Sequence, residues 1–188
     1  MRGRDLYNLT KTPLFLLTLM FRVLPRRLAA GLWPLFHIAP GILGVGLRYA
    51  LAKRLAANVG TSVYFGPNIT IIGWDRLHIG NNVSIHRNCY IDASGGIWIG
   101  ADVSIAHASS LVSFNHTWND ETLPIRSNPL LHEPIRILDD VWIGCGVRIL
   151  AGTTIGSRSV AAAGCVVSGN FEGNSIIAGV PARKIKDI

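Results

Sequence analysis

Six histidines and three cysteines hold most of the proton-transfer and nucleophilic capacity of this 188-residue chain. His116 stands in Phe114-Asn115-His116-Thr117-Trp118-Asn119-Asp120, a polar and aromatic run that opens a long irregular segment. An imidazole titrating near its ordinary value of about 6.5 can accept a proton at neutral pH, so a histidine fixed at the root of a loop suits general-base work. His37, His78 and His132 are expected in surface or packing positions, and His86 and His107 are left open. Cys89, Cys145 and Cys165 show no C-x-x-C spacing and leave an odd count, which points to reduced thiols and a cytoplasmic setting. No Gly-x-Ser-x-Gly elbow or phosphate loop occurs. Gly44-Val45-Gly46 lacks both the third glycine and the preceding strand of a dinucleotide fingerprint.

The elements that must position these groups are set by a period of six. Ile79, Ile85 and Ile91 form one hydrophobic series, and Ile99, Ile105 and Leu111 a second. Ile137, Ile143, Ile149, Ile155, Ala161 and Val167 form a third. Four residues after each anchor comes a small or modestly apolar side chain, among them Val83, Cys89, Val103, Ser109, Val147 and Cys165. Glycine often follows the anchor directly, as in Ile79-Gly80, Ile99-Gly100 and Ile143-Gly144. A helix repeats at 3.6 and a half-buried strand at 2. Six is three strand periods, so every anchor points the same way from a short extended segment that ends in a corner. Three such segments make one triangular coil, and stacked coils make an all-β solenoid, the parallel β-helix of hexapeptide repeats.

Val59, Phe65 and Ile71 read as a first, less regular coil. Two-residue slips are expected at Gly73–Arg76 and Ser94–Gly96. Between Leu111 and Ile137 lie 26 positions where six would suffice, so a loop over residues 117–136, with Pro124, Pro129 and Pro134, is expected to leave the coil. Long excursions from a rigid scaffold commonly carry function. Residues 1–58 form a separate N-terminal helical segment, and residues 59–188 the solenoid with a closing tail.

The net charge of +7 belongs to the N-terminal segment. Residues 1–57 carry nine Lys or Arg against Asp5 alone, and the remainder carries nine basic and ten acidic side chains. A nucleic-acid partner would want a basic stripe with interleaved aromatics on the folded domain, and the repeat has none. Residues 28–47 hold no formal charge, yet Pro34, Pro40 and several glycines would break a single spanning helix. The segment is expected to lie at an anionic membrane surface, to cap the open end of the solenoid, or to do both.

The chain resembles the hexapeptide-repeat acyltransferases, in the branch of galactoside, maltose and Nod-factor acetyltransferases and many polysaccharide O-acetyltransferases. The resemblance runs from about Gly60 to the end. It rests on Arg87-Asn88-Cys89-Tyr90-Ile91-Asp92 with Gly95-Gly96-Ile97, and on Ser113-Phe114-Asn115-His116. Further on it rests on Asp140-Val141-Trp142-Ile143-Gly144 and Ala178-Gly179-Val180-Pro181-Ala182-Arg183-Lys184-Ile185. It implies a left-handed β-helix, a homotrimer with sites between subunits, acetyl-CoA as co-substrate, and no metal. His116 matches the family's general base, and Asn115, Asp92 and His86 fall at acceptor-contacting positions. Trp142, Cys145 (through its amide), Ala163, Ser168, Arg183 and Lys184 match donor contacts.

Three departures refine this reading. Gly169 stands where relatives often place a lysine near the donor's 3′-phosphate. His86 and Ala93 stand where acetyltransferases of small galactosides carry Asn and Asp. The resemblance therefore points to O-acetylation of a sugar hydroxyl in cell-surface polysaccharide biosynthesis, by a cytoplasmic protein or one peripheral to the membrane. The competing readings are an N-acetyltransferase on an amino sugar or antibiotic, a non-catalytic β-helical scaffold, and a zinc lyase of the γ-carbonic anhydrase type using His86, His107 and His116.

Overall fold

A computed structural model describes the backbone of residues 3–188 and the side chains of residues 12–188. The parts of the charge reading that rest on Arg2, Arg4, Asp5 and Lys11 lie outside the described residues. Three helices come first: α1 (Gly3–Arg22), α2 (Arg26–Phe36) and α3 (Gly41–Leu55). Pro25 and Pro40 sit immediately before α2 and α3, with φ of −54° and −78°. Proline lacks a donor and has a fixed φ, so it suits a helix entry and breaks any continuous rod through residues 28–47.

From Asn58 the chain winds six times round a triangular prism. The first face stacks Asn58–Val59, Leu77–Ile79, Ile97–Ile99, Ile135–Ile137, Thr154–Ile155 and Asn170–Phe171. The second stacks Tyr64–Phe65, Ser84–Ile85, Ser104–Ile105, Val141–Ile143, Ser159–Ala161 and Ser175–Gly179. The third stacks Thr70–Ile72, Tyr90–Asp92, Ser110–Val112, Arg148–Ile149 and Val166–Val167. Neighbouring strands on each face are parallel, with anchors in register: Ile79 beside Ile99, Ile85 beside Ile105, Ile91 beside Leu111, Ile143 beside Ala161. Every anchor of the six-residue series is buried. The slips fall at corners, where Trp74–Arg76 forms one 3-10 turn and Ser94-Gly95 another turn.

The glycine after the anchor follows from coil spacing. A Cβ on Gly100 would lie 2.7 Å from the carbonyl carbon of Leu138, and one on Gly144 would lie 2.6 Å from the Ala163 nitrogen. The next coil's backbone occupies the place a side chain would need. Asn and Asp take several corners in left-handed backbone, including Asn68, Asn82, Asn88, Asp102 and Asp140, a conformation that short polar side chains tolerate.

Helix α3 closes the N-terminal end. Tyr49, Ala50, Leu51, Ala52 and Leu55 are buried against the first coil. That coil has no strand beneath it, and helix side chains supply the donors its carbonyls need. The Arg48 guanidinium, itself buried, donates Nε to Phe65 O (2.8 Å) and Nη1 to Ala39 O (2.7 Å). Trp33 Nε1 donates to Ile69 O, Tyr49 Oη to Gly60 O and Lys53 Nζ to Val59 O. An unpaired strand edge is a template for aggregation, and these contacts cover it. At the far end Ala182–Asp187 folds back antiparallel on Ser175–Gly179 and covers that edge. On the outer first face His78 stacks on Trp98 (5.1 Å, 6°) with Arg136 over the same ring, so His78 has a packing role.

Candidate active site

Leaving the third face at Ser113, the chain forms an antiparallel arm, Phe114–His116 against Leu130–His132, and rejoins the first face at Ile135. The root is fixed by Ser113, fully buried, whose hydroxyl donates to Asp92 O (2.7 Å) and accepts from Gly95 N (2.8 Å). The tip of the arm is tied by Asn128, which is 5% exposed. Its Nδ2 donates to the carbonyls of Asp120, Leu123 and Pro124, and its Oδ1 accepts from Asp120 N.

His116 ends the outgoing strand, opposite Leu130, with its ring exposed and edge-on to Phe114 at 6.1 Å. It therefore stands out on the arm, beyond the corner itself. Asn115 alternates to the other side of the strand and donates Nδ2 to Glu133 Oε2 (3.4 Å). Asp92 is 5% exposed, and its carboxylate is used by the corner, accepting from the amide and hydroxyl of Ser94. That contact fixes the carboxylate at the corner beside the arm's root.

A second group lies elsewhere. The corner between the second and third faces stacks His107, Cys145 and Ala163 in successive coils, linked by Gly146 N to His107 O (3.0 Å) and Gly164 N to Cys145 O (2.9 Å). The amides of Cys145 and Ala163 themselves donate to no acceptor among the described residues. A column of outward N–H groups one coil apart is a ready donor set for carbonyl oxygens or a developing oxyanion. Trp142, on the second face between Ser104 and Val160, is 56% exposed and is not covered by its own rung. Ser168 follows the third face in the fifth coil, on the same edge of the prism as the arm. Arg183 and Lys184 are exposed on the terminal strand, and Lys184 pairs with Asp187 at 2.6 Å, which raises its pKa.

Thus Asp92, Asn115, His116 and Ser168 occupy one edge of the prism, and His86, Cys145 and Ala163 another. One chain does not bring His116 and the amide column together. Two participants were not evident from sequence, Asn128 and Glu133. Asn128 acts on carbonyls four to eight residues back within irregular chain, and Glu133 across the arm on Asn115, 18 residues away; only the prolines that follow them hint at ordered backbone. Among the described residues no cluster of three His, Cys, Asp or Glu side chains could hold a metal ion. Burial raises the pKa of the Cys89 and Cys165 thiols, which keeps both protonated.

His86 packs edge-on to Tyr64 at 5.8 Å, and burial, with His107 nearby, lowers its pKa. The folded chain favours the neutral ring, so the unfolded chain takes up the proton first. This contribution to stability is present above the ordinary histidine value of about 6.5 and is lost as pH falls below it. His86→Gln is expected to flatten the fall of Tm in that acidic range, as measured by thermal melts at stepped pH. An unchanged slope would refute the assignment.

The galactoside O-acetyltransferase of Escherichia coli K12 is 34% identical over 142 residues, which span 75% of this chain and 68% of that protein. This chain belongs to the hexapeptide-repeat acetyltransferases. A second acetyltransferase-named relative, from Mycobacterium tuberculosis, is 35% identical over 147 residues, or 77% of this chain; the chain spans only about half of that protein's length (49%). WbbJ of E. coli K12, named for O-acetyl transfer in lipopolysaccharide biosynthesis, is 31% identical over 141 residues, covering 66% of this chain and 71% of its own. Among solved structures, a galactoside acetyltransferase in complex with coenzyme A superposes with a TM-score of 0.78 at 31% identity, covering 87% of this chain and 80% of that one. A Vibrio cholerae hexapeptide-repeat acetyltransferase complexed with acetyl-CoA gives 0.77 at 29%, covering 86% of each chain. No protein-family model matches the acetyltransferase chain.

Proposed function

We propose that the protein transfers the acetyl group of acetyl-CoA to a hydroxyl of a sugar, within cell-surface polysaccharide biosynthesis. Family membership supports acetyl transfer with acetyl-CoA as the co-substrate. The acceptor class is supported by the galactoside and lipopolysaccharide relatives and by His86 and Ala93 at two acceptor positions.

The observation that carries the mechanism is the separation of His116 from the Cys145–Ala163 amide column on two edges of one prism. In this reading a neighbouring copy brings its own column to the arm, so the working unit is an oligomer, a homotrimer by analogy with the family. The acceptor hydroxyl is polarised by the His116 ring, and its oxygen attacks the thioester carbonyl as the ring takes the proton. The negative charge that develops on the carbonyl oxygen is met by the Cys145 amide. The C–S bond then breaks, and the departing coenzyme A thiolate recovers the proton from the imidazolium. A thioester is already activated, so positioning and one base suffice. Trp142, uncovered on the second face, flanks the donor, and Ala163 and Ser168 contact its pantetheine arm. Arg183 and Lys184 meet the phosphates as a guanidinium fork and an ammonium charge.

The test is thiol release from acetyl-CoA across a panel of envelope glycans and free sugars, with mass spectrometry of the product and light scattering of the enzyme. An ester-linked acetyl on a glycan and a trimer mass are expected. Exclusive acetylation of amino groups would move the reading to N-acetyl transfer, and failure to bind acetyl-CoA would remove it.

A further inference from the structure

We infer that the helical cap is a docking surface for an anionic bilayer, an inference that stands apart from the acetyl transfer proposed above. Helix α1 turns Leu14, Leu17 and Phe21 inward, toward α3 and the buried core. Its opposite face presents Phe15, Leu16, Leu19, Met20 and then Val23, each between 49% and 80% exposed. The spacing of these positions is that of one helical stripe, so the exposure is organised. Leu28 and Leu35 on α2, and Ile42 and Leu43 at the start of α3, add apolar side chains 55–70% exposed. So much uncovered apolar surface within some thirty residues marks an interaction face.

The charge pattern selects the occupant. Between residues 12 and 57 there is no acidic side chain, while Arg22, Arg26 and Arg27 are exposed at the junction of α1 and α2. Phe15 and Leu19 also line, together with Arg22, Lys53 and Arg54, a groove of about 800 Å³ along the flank of α1. Exposed apolar side chains beside cationic ones, with no acidic side chain among them, match acyl chains below anionic headgroups. A second copy of this chain would instead bring the same arginines against each other. No described helix is long and apolar enough to cross a membrane, which leaves a helix layer lying in the interface.

The full-length protein is to be floated with vesicles of phosphatidylglycerol and phosphatidylethanolamine, and with phosphatidylcholine alone, at low and high salt. Binding is expected on the anionic vesicles only, and it should weaken with salt. Arg22→Gln with Arg27→Gln is expected to cut the partition coefficient roughly tenfold or more, and Leu16→Glu with Met20→Glu by at least as much. All four side chains are exposed, so the variants should fold and keep their affinity for acetyl-CoA in calorimetry. That control separates failure of docking from failure of the enzyme reading. Absence of flotation with anionic vesicles overturns the inference. So does undiminished binding by both variants. A drop in oligomer mass for Leu16→Glu with Met20→Glu, without loss of vesicle binding, would reassign the face to contact between copies.

Discussion

His116→Ala is expected to lower acetyl transfer by about 10²–10⁴-fold while acetyl-CoA affinity stays within about twofold. The rate loss corresponds to roughly 3–5 kcal/mol of transition-state stabilisation. Binding should survive because the donor contacts proposed here lie on other elements, at Trp142, Cys145, Ala163 and the terminal strand. The fold should survive because the His116 ring is exposed and its backbone pairing with Leu130 does not need the imidazole. Steady-state thiol release and isothermal titration of the same preparation test both halves. A variant that still turns over at the wild-type rate would exclude the ring as the base and require another group to take the proton.

Gly144→Val should produce a large structural effect beside the amide column. A Cβ at 144 would meet Ala163 N at 2.6 Å, and Ala161 O and Ala163 Cα at 2.9 Å. These are backbone atoms of the next coil, which cannot rotate away as a side chain would. Overpacking of this kind costs about 1–3 kcal/mol, and forcing two coils apart belongs at the upper end. The coils would separate where the Cys145 and Ala163 amides stand, so affinity for coenzyme A should fall at least tenfold (about 1.4 kcal/mol) even in molecules that fold. Gly146 supplies the control. It lies two residues away at φ +67° and a Cβ there meets nothing within 4 Å, so Gly146→Ala adds only local strain. Chemical denaturation and calorimetry of the two variants should separate them clearly, and equal behaviour would show that the coil-spacing argument is wrong.

The solenoid could be read from sequence because its period is carried by single side chains. Each anchor from Ile79 to Val167 points inward on its own strand, and burial leaves little choice but a branched apolar or small residue. The slips near Trp74 and Gly95 were visible for the same reason, as interruptions of a count. Arg48 shows the opposite situation. In sequence it directly follows the uncharged residues 28–47, and nothing local marks it as an interior residue. In the fold it is buried, and its donors satisfy the carbonyls of Phe65 and Ala39. That role depends on the first coil having no strand beneath it, a property of the whole stack that no local pattern announces. His116 was found through its loop and its family motif, but its place on a ladder opposite Leu130, and the knitting of that arm by Asn128, rest on contacts across 8–14 residues of irregular chain. Asp92 was matched to an acceptor position by resemblance, and the hydrogen bonds that Ser94 donates to its carboxylate become visible only in the fold.

The coil stack also works as a ruler. Cap, arm and amide column are joined by whole coils, and parallel strands repeat at about 4.8 Å. The arm leaves after the third coil and the Cys145 amide lies in the fourth, so the reacting centre stands on the order of 12 Å above the first coil. With the cap seated on lipid, this height would select acceptors by reach, favouring a hydroxyl held off the bilayer over one at its surface. Adding or deleting a coil below the arm would change that height by one fixed step while leaving every side chain of the site unaltered. Selectivity for the acceptor can therefore be carried by the number of coils as well as by the residues that touch it.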